Sequence, residues 1–172
     1  MSTKILKIAA VSVLSVFLAS GCAGPDLQPT HRSSEPSLQG KKGGWTYYVN
    51  TDTLRGIDNQ MATVSSQAGT VPAAIVLAAY PGGQQAAVHL GDALQGFRHS
   101  STTMAVRVDN RPVQHFIVKT SDENPRVGVV GDVRGFIDSM KGGRLMVIEM
   151  EDVVTKGGGK QAKFDIAGLA GW

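Results

Sequence analysis

The stretch Met104-Ala105-Val106-Arg107-Val108-Asp109-Asn110-Arg111-Pro112-Val113-Gln114-His115-Phe116-Ile117-Val118-Lys119 decides the fold. Apolar and polar residues alternate on both sides of a four-residue cluster, which is the period of two half-buried strands. Within the cluster, Asp109 and Asn110 tolerate left-handed backbone and bond their own main chain, and Pro112 fixes its φ, so the chain reverses here. The expectation is an antiparallel hairpin. Upstream, Trp45 to Val49 is aromatic and β-branched, and Met61 to Ser65 continues the alternation. Ala73 to Tyr80 (AAIVLAAY) is a continuous apolar run stopped by Pro81-Gly82-Gly83, and Ala86 to Leu90 follows that turn. Downstream, Val127 to Val130, Leu145 to Met150 and Ala162 to Ile166 read as further short strands.

One segment breaks the alternation. Val133, Phe136, Ile137 and Met140 recur at i, i+3, i+4 and i+7, Asp132 can cap the start, and Gly142-Gly143 can end the turn in the left-handed conformation. A long alternation of strands and helices, which a parallel sheet needs, is absent. The predicted fold is therefore mainly β, an antiparallel β-sandwich or flattened barrel with one short α-helix.

The composition fits one compact domain with tails: 172 residues, 42% hydrophobic, 18% charged, with 21 glycines and a single cysteine. No disulfide framework is possible. The formal charge of +3 includes Lys4 and Lys7; without them 17 basic residues become 15 against 14 acidic ones. A chain so nearly neutral, with no Arg/Lys stripe, lacks the charge that phosphate neutralisation requires, which argues against nucleic acid as a partner.

The N-terminus has the layout of a secretory signal peptide. Met1 to Lys7 is a positive region, Ile8 to Ser20 (IAAVSVLSVFLAS) an apolar stretch too short to span a bilayer, and Ala19-Ser20-Gly21 a run of small residues ending at Cys22. From Ala23 to Gly44 the chain is rich in Pro, Ser, Gly and charge, with only Leu27 and Leu38 as isolated apolar residues. The expected organisation is a signal peptide over 1–21, a flexible tether over 22–44 and one β-rich domain from Trp45 to Trp172.

Two resemblances follow from these residues. Leu18-Ala19-Ser20-Gly21-Cys22 resembles a bacterial lipobox, which implies that Cys22 is lipidated on sulfur, becomes the new N-terminus and is acylated again on nitrogen. Ala23 after it, where inner-membrane lipoproteins carry Asp, implies outer-membrane anchoring through Cys22. Two acyl chains hold stably where one holds only marginally. Within the domain, the Trp opening at Trp45, the turn near Asp52, the hairpin around Asp109 to Pro112, and Phe136 to Gly143 before Lys163-Phe164-Asp165-Ile166-Ala167-Gly168-Leu169 resemble the periplasmic VasI/TagO-type family linked to type VI secretion. A similar ending occurs in the invasion-associated locus B type. The paired cysteines common in those families are absent. The resemblance implies a non-catalytic envelope β-sandwich and supplies no catalytic residue.

Chemical motifs are sparse. His31, His89, His99 and His115 have no partner histidine at i+2 or i+4 and no HExxH pattern, so no metal site is expected. His99 stands beside Ser100 and Ser101, but neighbours on an extended segment point apart. Lys156-Gly157-Gly158-Gly159-Lys160 lacks the phosphate-loop spacing and reads as a hairpin tip. Asp132, Asp138, Glu149, Glu151 and Asp152 lack the regular calcium-loop pattern. No cofactor is expected.

Two function classes remain. One is a tethered module that binds an envelope protein, such as a secretion component or a hydrolase to be inhibited. The other is an enzyme acting on cell-wall or lipid material, which requires a pocket of convergent polar groups. The absence of catalytic patterns favours the first. Within it, the turn of Asp109, Asn110 and Arg111 is the candidate binding surface, because loop tips on a rigid scaffold carry recognition and an Arg fork suits carboxylates.

Overall fold

The computed structural model describes residues 36–52, 55–68, 70–91, 96–97, 99–121, 123–150, 161–169 and 171–172. Cys22 and the whole signal-like segment, His31, Glu151, Asp152 and the triglycine tip fall outside the described residues.

Among the described residues there are ten strands and one helix: β1 (Ser37–Lys42), β2 (Trp45–Asp52), β3 (Ile57–Ser65), β4 (Ala73–Tyr80), β5 (Gly83–Leu90), β6 (Ser101–Val108), β7 (Gln114–Ser121), β8 (Asn124–Val130), α1 (Val133–Met140), β9 (Leu145–Met150) and β10 (Gln161–Asp165). They form a single sheet in the order β1-β2-β3-β4-β5-β8-β7-β6-β9-β10, with every pair antiparallel. The mainly β, one-helix expectation holds.

Alternation in the sequence becomes two faces. Ile75 and Leu77, Val88 and Leu90, Met104 and Val106, Met146 and Ile148, and Phe164 lie on one face, all at most 2% exposed. These side chains form one core with Trp45, Phe136, Ile137 and Met140. A single sheet can enclose such a core only by curling over it. The β10 end folds back onto the β3–β4 connection without a strand-to-strand ladder: Gln67 N donates to Lys163 O at 2.7 Å, Val71 N donates to Gln161 O at 3.0 Å, and Ser66 bridges Phe164. The architecture is thus an incomplete, flattened barrel.

The C-terminal segment straps the gap. Trp45 Nε1 donates to Ile166 O at 3.0 Å and the Tyr47 hydroxyl to Gly168 O at 2.8 Å. Gly43, at φ +59°, lies so close to the Ala167 carbonyl that a Cβ would overlap it. Glycine is the residue that both the left-handed turn and this approach require.

One boundary differs from the sequence reading. Residues 37–42 were expected in the tether, yet they form β1, paired with β2 from Ser37↔Val49 to Lys42↔Trp45. Isolated apolar residues cannot drive folding alone, but backbone hydrogen bonds to an already formed β2 recruit a polar strand. The register slips between Leu38 and Gly40, which marks a bulge.

Candidate functional site

Helix α1 follows β8 and covers the core. Asp132 caps it, accepting from Gly135 N at 2.9 Å, as its position before the apolar periodicity requires. Phe136 meets Phe116 of β7 edge to face, with ring centroids 5.3 Å apart and planes at 80°. The helix ends at Lys141, Gly142 takes φ +71°, and the chain turns into β9.

The β6–β7 turn grips this helix end. Arg111 Nη1 donates to Ser139 O and Nη2 to Lys141 O, both at 3.0 Å. The fork thereby satisfies carbonyls that the last helical turn leaves unbonded, and its charge complements the negative end of the helix. Asp109, the non-glycine residue at φ +50°, answers from the other side of the turn. Its Oδ1 accepts from Leu145 N at 2.9 Å and its Oδ2 from Arg144 N at 3.2 Å. The Leu145 amide, then the Arg144 amide and the Arg111 and Arg144 charges, hold the Asp109 carboxyl below its usual pKa against the opposing effect of desolvation. Asn110 stands exposed at the tip.

The turn is therefore a clamp between β6 and the α1–β9 connection. Its two charged side chains bond to main chain within the domain, and a shallow depression beside it is lined by Val106, Val108, Arg111, Pro112, Gln114 and Ser139. Sequence reasoning placed the turn and the helix end correctly but had no signal joining them across 28 to 36 positions.

The three described histidines lie on separate segments, His89 on β5, His99 before β6 and His115 on β7. His99 is exposed, and its carbonyl accepts from Thr120 Oγ1 at 3.1 Å. His115 is exposed on β7 opposite Ala105 of β6. His89 is half-buried on β5. Among the described residues, no group of three or more His, Cys, Asp or Glu side chains could hold a metal ion. Asp132 serves the helix cap, and Asp138 accepts from Lys141 Nζ at 2.8 Å, a bond that lowers its carboxyl pKa. Glu149 accepts from Gln161 Nε2 at 2.9 Å across β9 and β10.

The feature that the sequence did not announce is the convex face of the sheet. Cross-strand register carries one row from Thr46 through Thr63, Val76 and Ala87 to Val129, and a second from Leu38 through Tyr48 and Met61 to Ala78. Within these rows Val76, Ala78 and Ala87 are at most 2% exposed, whereas Leu38 is 60% exposed, and on the same face Ile117 is 56% and Val129 41% exposed. Burial raises the Tyr80 phenol at the end of β4 above its usual pKa.

No family model matches this chain, and no curated protein matches it. The fold is similar to the crystal structure of invasion associated protein B from Bartonella henselae, with a TM-score of 0.49 and 13% identity over 77% of this chain and 90% of that one.

Proposed function

We propose that the chain is an outer-membrane lipoprotein, anchored through acylated Cys22, facing the periplasm and serving as a non-catalytic protein-binding or accessory module of the envelope. The observation that carries this reading is the placement of the only cysteine directly after a positive region, an apolar stretch too short to span a bilayer and a run of small residues. The β scaffold suits the role, since a rigid sheet presents side chains without reorganisation on binding. Exposed Ile117 and Val129, diagonal neighbours on β7 and β8, offer apolar area for a protein partner. The sequence resemblance to the periplasmic family linked to type VI secretion directs the accessory role toward a secretion machine.

Detergent phase separation of cell envelopes tests the anchor. After a carbonate wash of the envelope the native protein is expected in the detergent phase, and the Cys22→Ser protein, once residues 1–21 are removed, is expected in the aqueous phase. Equal retention of both proteins would refute anchoring through Cys22.

A further inference from the structure

We propose that the convex face of the β1–β2 hairpin rests on the phospholipid surface to which the chain is tethered, with Leu38 inserted among the headgroups and Lys41 against lipid phosphates. The inference rests on the lipid-anchor reading above and adds a defined orientation to it.

Four observations meet on this hairpin. Leu38 is 60% exposed, the most exposed of the large hydrophobic residues described. Its cross-strand partner is Tyr48, followed by Met61 on β3, both half-buried, so Leu38 continues an apolar row to the edge of the sheet. Lys41 is exposed on the same face, opposite Thr46, and takes part in no ion pair among the described residues, whereas Lys42 pairs with core-facing Trp45 on the other side. From Ser37 to Thr51 the sequence has no Asp or Glu. The first carboxylates C-terminal to it are engaged, Asp52 by Arg55 at 2.9 Å and Asp58 by the Thr51 hydroxyl at 2.6 Å, while on the N-terminal side Glu35 falls outside the described residues.

Chain length brings this face to the membrane. Residues 23–36 separate Cys22 from the start of β1, a reach of at most about 50 Å. A domain of this size is itself about 35 Å across, so the bilayer is always within reach of the element that the tether enters. At that effective concentration a contact too weak to recruit a free protein is populated. Aliphatic and tyrosine side chains suit the interfacial zone, and each lysine near an anionic surface strengthens binding about fivefold. Lysines and a bulge also protect an edge strand from pairing with another chain, which disfavours a second copy as the occupant.

The test uses the full protein reconstituted in vesicles containing phosphatidylglycerol and a spin-labelled quencher lipid. A fluorophore is attached at Leu38→Cys or, as the control on a distant strand, at Thr103→Cys. Quenching is expected to be several-fold stronger at position 38. It is expected to fall several-fold in Lys41→Glu and in vesicles of phosphatidylcholine alone, with the thermal melt unchanged. Equal quenching at both positions, indifference to charge reversal, or protection of position 38 that depends on protein concentration without vesicles would overturn the proposal. Flotation in high salt reads the lipid anchor separately, and the quenching contrast at low salt and excess vesicles reads the hairpin whether or not Cys22 is acylated.

Discussion

Arg111 shows how one side chain can be exposed and still structural. Its guanidinium closes the C-terminal end of α1 through two carbonyl oxygens, and Asp109 holds the next two amides. Arg111→Ala is expected to cost about 1 kcal/mol, a fall of roughly 3–5 °C in melting temperature, because charge-assisted bonds are lost at an exposed site. Arg111→Lys recovers little of it, since a point charge cannot span both carbonyls. A melt within 1 °C of wild type, to within about the error of the measurement, would remove Arg111 from the clamp. For Asp109 the sign follows from its lowered folded pKa: the carboxylate contributes stability above its unfolded pKa of about 3.9, and that contribution disappears as pH falls through the folded value. Urea midpoints at pH 7 and pH 3 are expected to differ less for Asp109→Asn than for wild type. An unchanged difference would show that the carboxylate is not linked to folding.

At the scale of elements, the hairpin, α1 with its Asp132 cap and left-handed Gly142, β4 and β9 were legible because local chemistry and burial agree there. Period-2 alternation in Met104 to Val108 is the buried face of β6 written directly in residue types. β1 was not legible, because Ser-Leu-Gln-Gly-Lys-Lys carries no alternation and is a strand only through its ladder to β2. The curl of the sheet was equally hidden, since it depends on Gln67 and Val71 meeting β10 nearly a hundred residues later. The candidate turn was found by its residue types, while its partners were not, because nothing local encodes a contact with the far end of a helix. Phe136 fixes α1 to the core and is fully buried. Phe136→Ala is expected to cost about 3–5 kcal/mol by leaving a cavity beside Phe116, measured by chemical denaturation. A loss below about 1 kcal/mol would mean that α1 is not part of the cooperative unit.

For the whole molecule, structure and sequence contribute different parts of the account. The curled sheet supplies a rigid body with an apolar core inside, and its convex side carries Leu38, Ile117 and Val129 into solvent. The position of Cys22 in the sequence supplies the proposed anchor, and the short segment between it and β1 sets how far from the membrane the body can work. Binding close to a membrane needs no catalytic group, only a stable surface held at high local concentration. The anchor is the premise on which the rest of this functional reading depends. Intact-mass spectrometry of the protein extracted from its own membranes tests it most directly. The account predicts a chain beginning at Cys22, with residues 1–21 gone and the mass of a diacylglyceryl group and an amide-linked acyl chain added. A chain that retains Met1 to Gly21, or one that begins at Cys22 without added lipid, would contradict it.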